Sequence, residues 1–434
     1  MENQTTIFDM LYPKKKITKP IRLIEMFSGY GSQALALKYL GVPFEHWKIC
    51  EWAIKSIQAY KDIHFNEKEI EIVHFNRELN LEFLYKMGIS NNYNNPMTKQ
   101  QIKRLSDKQI KNIVENILIT HNLVNIQQVK GKDLEIVDTD KYEYIMTYSF
   151  PCQDLSLAGK GKGMSDTSTR SGMLWEVERI LTECENKPQI LLMENVPQVH
   201  SEDNLPDFNK WKDRLEELGY KNYFQDLIAT DYGIPQTRNR CFMISLLGDY
   251  SYTFPKPIPL KLKLKDMLED NVDEKYDLSD KQINEIIPFG TYYTWKDLQG
   301  NINTQCNRAT DENKSALTIG CANSGNVLIK NATSSGNDRG VCVKGIATNE
   351  SEEWQKPPLE EKSRTLLSNK SNCGVGLIDT NLRIRKLTPR ECGRLMGVKD
   401  EDIDKIQLSD SAKYHIFGDA IVVNVLMAIF KELL

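Results

Sequence analysis

The chain has 434 residues, a net charge of −4, 40% hydrophobic and 27% charged residues, which is the composition of a globular protein rather than a disordered or fibrous one. Single hydrophobic cores stop growing at about 250 to 300 residues, so this length predicts two domains. The slightly acidic balance excludes a protein that coats nucleic acid through bulk charge, and any positive charge that binds DNA must be local.

The cysteines and the N-terminal sequence bear on compartment. Nine cysteines and six histidines are scattered without a C-x-x-C pair, which argues against a structural metal site or a disulfide framework. We find neither an apolar run of about 18 residues nor the apolar block of a signal peptide. We therefore expect a cytoplasmic protein with no metal.

The first half of the chain alternates strand-like and helix-like segments. The segment "IRLIEMF" (21–27) reads as a buried strand that runs into the glycine turn "SGYGS", and residues 33–41 have helical spacing. An amphipathic helix is predicted at 208–220, and further buried strands are predicted at 46–52, 142–150, 189–196 and 240–247. Such alternation predicts an α/β fold with a mostly parallel sheet and helices on both faces.

Two stretches interrupt this pattern. Residues 65–130 are charged and helical in period, and we interpret them as an inserted helical subdomain; a solvated decoration, a DNA clamp and a partner surface all remain open. Residues 251–380 change to Gly, Asn, Ser and Thr with short β-prone runs, as expected of a second, smaller domain. The chain is predicted to have four parts: an N-terminal arm 1–20, a main domain 21–250, the second domain 251–380, and a segment 381–434 that returns to the main domain.

Similar sequence pieces occur inside the second domain. The stretches 314–329 and 362–378 each contain Lys-Ser, an apolar run, a small polar loop and a second apolar run. We interpret them as two strand-loop-strand units, with chance similarity as the competing explanation. Further on, Thr388, Pro389 and Glu391 have the pattern of a helix N-terminus with a capping box.

Polar residues follow several of the predicted strands. The glycine turn after the first strand can admit a ligand to the backbone, and Glu51 at the end of the next strand is placed to accept hydrogen bonds from a ribose. Asp133 precedes the strand that ends at Phe150. Together these residues predict a nucleoside site at the carboxyl edge of the sheet.

The same edge is expected to carry a nucleophile and an acid. Cys152 follows Phe150 and Pro151 at a strand end, where a thiolate could act as a nucleophile; the alternative is a small buried hydrophobe. Glu194 ends another strand and is a candidate acid beside it. Arg238 and Arg240 are one residue apart on an extended segment, which puts both on one face.

The motifs, taken in order, resemble those of the bacterial and phage DNA (cytosine-5)-methyltransferases. The blocks that carry the resemblance are "FSGYG", "EW", "GKDL", "SFPCQDLS", "SGMLW", "ENV", "DYGIPQTRNR", "RKLTPRECGRLMGV" and "FGDAIVVNVL". The resemblance implies a Rossmann-like S-adenosylmethionine-dependent fold with a mixed target-recognition domain. It also implies base flipping, addition of Cys152 to cytosine C6, contact of Glu194 with N3, contact of Arg240 with O2, and a supporting role for Arg238.

The resemblance also implies which residues hold S-adenosylmethionine, with S-adenosylhomocysteine as product. They are Phe27, Gly29, Gly31, Glu51, Trp52, Asp133, Leu134, Pro151, Leu174, Asp419, Ala420 and Ile421. The chain departs from the common Gly-Asn-Ser or Gly-Asn-Ala pattern because Asp419 follows Gly418. An ionised Asp cannot donate the hydrogen bond that an Asn amide donates.

The implied partner is double-stranded DNA with a short specific site. Phosphate contacts in the second domain are assigned to Lys330, Arg339, Lys344, Lys362, Arg364 and Lys370. We expect a monomer, with a restriction endonuclease neighbour or phage self-protection as its setting and no membrane association. Methylation of cytosine in transfer RNA, and a non-catalytic DNA-binding protein of the same fold, are the alternatives.

Overall fold

The computed structural model describes residues 13–65, 75–150, 171–277 and 384–434, together with five short strands between residues 293 and 378. A six-stranded sheet organises the first three ranges. Its strands are β1 (Ile21–Met26), β2 (Phe44–Cys50), β3 (Glu143–Tyr148), β4 (Ile190–Asn195), β5 (Tyr220–Ile228) and β6 (Asn239–Leu247). The described residues also form eleven α-helices.

The strand order is β2-β1-β3-β4-β6-β5. Strands β1 to β4 pair in parallel, and β6 runs antiparallel to both β4 and β5. The prediction of an α/β fold with a mostly parallel sheet is confirmed. The sequence analysis did not predict β5, because its polar outer residues and its position at the sheet edge leave much of the strand only partly buried.

This topology brings several chain segments to one edge of the sheet. The carboxyl ends of β1 to β4 meet there, as the register Met26↔Cys50 and Met26↔Tyr148 shows. Because β6 is antiparallel, it contributes its beginning rather than its end, and Asn195 lies opposite Cys241. Residues near the start of β6 therefore lie beside residues at the end of β4.

Helices cover both faces of the sheet. On one face, α1 (Ser32–Tyr39) packs with the C-terminal helices α8 (Pro389–Leu395), α9 (Asp400–Ile403), α10 (Asp410–Asp419) and α11 (Val423–Lys431). On the other face, α6 (Leu174–Glu183) and α7 (Leu205–Glu217) bury Val177, Ile180 and Trp211 against the strands. Helix α7 begins and ends three residues earlier than the predicted 208–220.

The C-terminal helices and residues 251–277 share a core with the sheet. Tyr252, Leu264 and Met267 are buried in the cluster that also contains Phe417 and Leu426. The stretch 251–277 was assigned to the second domain in the sequence analysis, but these side chains pack on the main core. The range Asp410–Lys431 contains an 18-residue window with the hydropathy expected of a membrane span, and 56% of that window is buried in the protein. The backbone leaves helical geometry between α10 and α11.

The predicted capping box at the start of α8 is confirmed. Thr388 Oγ1 accepts a hydrogen bond from Glu391 N at 3.2 Å, and Glu391 Oε2 accepts one from Thr388 N at 2.7 Å. The same carboxylate forms a buried bidentate pair with Arg385, with both N···O distances at 2.8 Å. One side chain therefore caps the helix and ties it to the strand β12 (Ile384–Lys386).

The insertion is helical, as predicted. It contains α3 (Arg77–Met87), α4 (Lys99–Lys103) and α5 (Asp107–Ile119), which pack against α2 (Ile54–His64) of the main unit. Capping boxes at Thr98 and Ser106 start α4 and α5. Leu84, Ile102 and Ile110 of the insertion form a small core with Ile57 of α2.

Short strands between residues 293 and 378 form two further sheets. A two-stranded sheet joins β7 (Tyr293–Lys296) to β8 (Ile302–Gln305), and a four-stranded sheet has the order β12-β11-β10-β9. The latter contains β9 (Arg308–Asp311), β10 (Asn326–Ile329) and β11 (Val375–Ile378). Strands β10 and β11 are the second apolar runs of the two similar sequence pieces, and they pair in parallel, residue by residue. The loops of these pieces, and the six basic residues assigned to phosphate contacts, lie outside the described residues.

Candidate active site

A tight turn follows β1 and starts α1. Phe27, Gly29 and Gly31 all have positive φ, at 58°, 54° and 83°. Phe27 N donates to Cys50 O at 2.8 Å, which fixes the turn against the end of β2. A Cβ on Gly31 would lie 2.4 Å from His64 Nε2, whereas a Cβ on Gly29 would meet nothing within 4 Å. Gly31 is thus required for packing, and Gly29 leaves open space at the sheet edge.

Glu51 is buried beside this turn. Its Oε2 accepts from Gly29 N at 3.0 Å and its Oε1 accepts from Ala53 N at 2.8 Å. Burial raises the pKa of Glu51 to about 7, although the backbone donors act in the opposite direction. Each oxygen retains a lone pair, so the carboxyl can still accept hydrogen bonds from a pair of hydroxyls.

Asn122 holds the backbone of Glu51 in place. Asn122 Oδ1 accepts from Glu51 N at 3.0 Å, and Asn122 Nδ2 donates to Glu51 O at 2.9 Å. The side chain thereby replaces a strand neighbour at the end of β2. The sequence analysis did not identify Asn122, because nothing in its local sequence distinguishes it from a polar loop residue.

The structure also describes the other residues predicted to hold the adenosine. Trp52 is half-buried against the insertion, and Asp133 Oδ2 accepts from Lys130 N at 2.9 Å in a single 3₁₀ turn. Leu134 and Leu174 are fully buried in one cluster on that face of the sheet. Leu134 O also accepts from Trp47 Nε1 at 2.8 Å, so the turn that carries Asp133 is anchored to β2.

The end of α10, in the C-terminal segment, approaches Glu51 and Arg238. Gly418 O accepts from Arg238 Nη2 at 3.2 Å, while Asp419 is exposed and its charge raises the pKa of Glu51 further. Ala420 is half-buried and Ile421 is buried. Residues at the end of α10 thus act on both Glu51 and Arg238.

Glu194 and Arg240 form a buried pair at the end of β4. Arg240 Nε lies 3.1 Å from Glu194 Oε1, and each side chain is only 10% exposed. Burial raises the pKa of Glu194 above its ordinary value, against the opposing charges of Arg240 and Arg238. Arg240 therefore pairs directly with this carboxyl, and Arg238 acts on it through its charge.

Pro151 and Cys152 lie outside the described residues. The structure does describe Phe150, whose carbonyl accepts from Asn195 Nδ2 at 3.0 Å. Asn195 immediately follows Glu194, so one hydrogen bond anchors the chain two residues before Cys152 to the strand that carries the acid. Asn195 is the middle residue of the "ENV" motif, and this motif is the sequence signal by which it could have been identified.

The arrangement combines two functions along one edge. The glycine turn and Glu51 suit a nucleoside, and a carboxyl of raised pKa between guanidinium groups suits a polar heterocycle that carries a ring nitrogen and a carbonyl. No cofactor-derived charge is needed to explain the local hydrogen bonds. The open space beside Gly29 fits the close approach of a ligand to the backbone.

Comparisons with known proteins identify the family to which the chain is similar. The family model of C-5 cytosine-specific DNA methylases matches residues 83–434. The chain is 32% identical to the type II methyltransferase M2.ScrFI of Lactococcus lactis subsp. cremoris, over 95% of this chain and 99% of that protein. It is 38% identical to the orphan methyltransferase M.SssI of Spiroplasma monobiae, over 59% of this chain and 67% of that protein.

Solved structures show the same fold at low identity. The Entamoeba histolytica methyltransferase EhMeth matches with a TM-score of 0.57 and 15% identity, over 96% of this chain and 98% of that chain. The S. pombe Dnmt2 methyltransferase matches with a TM-score of 0.55 and 16% identity, over 95% of this chain and 98% of that chain. These likenesses concern the fold alone.

Proposed function

Because the chain belongs to the family of C-5 cytosine-specific DNA methylases, we propose that it methylates cytosine C5 at a short specific site in double-stranded DNA, with S-adenosylmethionine as methyl donor. The observation that carries the mechanism is the buried Glu194–Arg240 pair at the sheet edge that receives the chain leading to Cys152. S-adenosylmethionine would supply an electrophilic methyl group.

The cofactor is proposed to bind along the carboxyl ends of β1 to β3. Glu51 would accept hydrogen bonds from the ribose hydroxyls, and the turn that contains Phe27, Gly29 and Gly31 would face the methionine part. Trp52, Asp133 and Leu134 would hold the adenine. The pocket would be completed by Pro151, Leu174, Asp419, Ala420 and Ile421. The support is the position of Glu51 between the glycine turn and α10.

The target cytosine is proposed to leave the duplex, because a stacked ring cannot be reached by nucleophile and methyl donor together. The Cys152 thiolate adds to C6 while Glu194 shares a proton with N3, so the ring can take up the negative charge at C5. Arg240 donates to O2, and Arg238 adds positive charge nearby. After methyl transfer to C5, solvent water takes the C5 proton, its bonding pair forms the C5–C6 double bond, and the C6–S bond breaks with its electron pair on the Cys152 thiolate. The proton at N3 returns to Glu194, and the aromatic ring is restored.

A carboxyl of raised pKa suits the role of Glu194. An acid that is protonated more readily than usual can bond N3 in its neutral form at neutral pH, and Arg240 and Arg238 limit how far that pKa rises. Burial and the two arginines therefore act on the pKa of Glu194 in opposite directions, so the carboxyl can both hold a proton and release it. This balance depends on burial, which excludes water from the edge.

We propose that the part of the segment 251–380 that follows the buried stretch 251–277 reads the DNA sequence in the major groove. The two similar pieces would each present a loop, since their second apolar runs pair as neighbouring strands β10 and β11. Exchange of both loops for those of a relative should change the methylated site. An unchanged site would show that other residues read it.

The proposed setting is the cytoplasm, with the enzyme acting as a monomer, because one catalytic edge modifies one cytosine per visit. Protection of DNA from a restriction endonuclease of the same specificity is the proposed role. A digest of DNA modified by the protein, with endonucleases that recognise the methylated site, would test it; full cleavage at that site would argue against protection.

The decisive test is base-resolution cytosine methylation of unmodified DNA treated with the protein and S-adenosylmethionine. Cys152→Ala removes the proposed nucleophile, and Cys184→Ala, which removes a buried thiol on the α6 side of the core, is the matched control. We expect 5-methylcytosine at one short motif with the native chain and the control only. Methylation of transfer RNA but not DNA would favour the RNA alternative, and cofactor binding without methylation of either would favour a non-catalytic protein.

A further inference from the structure

The insertion reaches the cofactor edge through the loop Ser90–Asn95. Ser90 N donates to Trp52 O at 2.7 Å, and Ile54 N donates to Ser90 O at 2.9 Å. Ser90 is therefore hydrogen-bonded to both neighbours of Ala53, which lies two residues after Glu51. Its position is set by main-chain hydrogen bonds to the end of β2 and the start of α2.

The loop holds Tyr93 in a defined conformation. Asn92 Oδ1 accepts from Asn94 N at 3.0 Å and from Asn95 N at 3.1 Å, and Ser90 Oγ donates to Asn95 O at 2.7 Å. Tyr93 lies between these bonds with φ at 61°, a left-handed conformation that is costly for an aromatic residue. Such strain persists where surrounding contacts compensate for it.

Two contacts compensate for this strain: Ser56 Oγ donates to Tyr93 OH at 3.4 Å, and the Tyr93 ring contacts the C-terminal segment. The ring of Tyr93 stacks on His415 of α10, with centroids 4.0 Å apart and planes inclined by 12°. His415 Nδ1 lies 2.9 Å from Asp419 Oδ2, one helical turn further along α10. Phe417 of the same helix packs edge-on against Tyr30, with ring centroids 5.6 Å apart, so the end of α10 lies at the glycine turn whose Gly29 N donates to Glu51. The charge of Asp419 acts on the Glu51 carboxyl from there. A chain of contacts thus runs from the insertion to the pocket.

We propose that Tyr93, His415 and Asp419 form a clasp that ties the insertion to the C-terminal helix and fixes a second carboxylate beside Glu51 at the cofactor pocket. This inference rests on the proposed function and deepens it. On this basis the insertion is part of the cofactor site rather than a solvated decoration.

The clasp has a consequence for ligand choice. S-adenosylmethionine carries a positive sulfonium that S-adenosylhomocysteine lacks. A fixed carboxylate at this rim attracts the charged donor more strongly than the product. Asp419 therefore favours the donor over the product and reduces product inhibition. Tyr93 and His415 are positioning residues, because they act through Asp419.

The test measures dissociation constants for both ligands by calorimetry, without DNA, alongside KM and kcat. Tyr93→Ser removes the stack, Tyr93→Phe retains it, and Asp419→Asn removes the charge. Tyr85→Ser is the matched control, since Tyr85 lies in the same insertion, is 41% exposed and contacts only a cation in the described contacts of its ring.

We expect Tyr93→Ser and Asp419→Asn to lower the preference for S-adenosylmethionine over S-adenosylhomocysteine about three- to tenfold, the range of an aromatic pair or a partly screened charge contact. The KM for the donor should rise while kcat changes little, and Tyr93→Phe and Tyr85→Ser should match the native chain. Equal weakening of both ligands, or no change, would overturn the clasp.

The two proposals fail in different ways. Ligand preference is read without DNA, so a native protein that binds both ligands but methylates no DNA would overturn the proposed function while the clasp is still decided by the variants. A native protein that methylates DNA while the variants keep their ligand preference would overturn the clasp alone.

Discussion

Arg240 Nε lies 3.1 Å from Glu194 Oε1, and the two residues come from neighbouring antiparallel strands, β6 and β4. The pair exists because β6 runs against the rest of the sheet and brings its first residues to the edge where β4 ends. Burial raises the pKa of Glu194, and the guanidinium limits that rise. The carboxyl is thereby suited to exchange a proton rather than to remain a permanent anion.

Replacement of Glu194 tests this role. Glu194→Gln retains the shape of the side chain but cannot transfer a proton, so we expect kcat to fall by about 10²- to 10⁴-fold with little change in the KM for S-adenosylmethionine. Steady-state transfer of labelled methyl groups to DNA is the measurement, with Glu216→Gln on the exposed face of α7 as control. A kcat within a few-fold of native would rule out proton transfer by Glu194.

Cofactor affinity should depend on pH through Glu51. Burial raises the pKa of this carboxyl to about 7, and the ionised form is the better acceptor for ribose hydroxyls. Affinity should therefore be lost as pH falls through about 7 and be complete above it. Calorimetry from pH 6 to pH 8.5 would measure how the cofactor affinity changes with pH. Glu51→Gln should bind the cofactor more weakly, and its affinity should lack the pH dependence that Glu51 causes. The same pH dependence in both proteins would assign it to another group.

The two glycines of the turn should respond differently to alanine. In Gly31→Ala the new Cβ would clash with His64 and adopt an unfavourable φ, so we expect the free energy of unfolding to fall by more than about 2 kcal/mol. Gly29→Ala meets open space, so only the backbone penalty of about 1–2 kcal/mol applies, while the methyl group obstructs ligand approach. Denaturant unfolding and cofactor binding measure the two effects. Equal losses of stability would contradict the distinction.

The free energy of unfolding should fall as pH rises, because of Glu25. This carboxyl is fully buried on β1, accepts from Tyr60 OH at 2.5 Å, and burial raises its pKa from 4.5 to about 7. Its favourable contribution is present below the unfolded-state pKa and is lost as pH rises through about 7. The native chain should therefore lose up to about 3 kcal/mol relative to Glu25→Gln between about pH 5 and pH 8.

Denaturant unfolding of the two proteins at both pH values is the measurement for Glu25. Glu202→Gln, at an exposed position, controls for the general effect of removing a carboxyl and should follow the native chain. Parallel pH profiles for native protein and Glu25→Gln would show that Glu25 does not titrate in this range.

The α/β order and the main strands could be predicted because buried parallel strands are written as short apolar runs, and because Gly, Thr and Pro mark where helices begin. Glu51, Glu194 and Arg240 could be identified for a related reason: each stands at a strand end or start, and the family motifs name them. Strand β5 escaped prediction because an edge strand is only partly buried and lacks that apolar signal.

Other features depend on contacts between residues far apart in sequence. The antiparallel direction of β6 makes the Glu194–Arg240 pair, Asn122 holds Glu51 across 71 residues, and Tyr93 meets His415 only because the insertion and α10 fold to the same edge. Local sequence carries periodicity and turn chemistry, which act over a few residues. Burial, pKa and side-chain contact are set by the packing of the whole chain, so only the tertiary structure decides them.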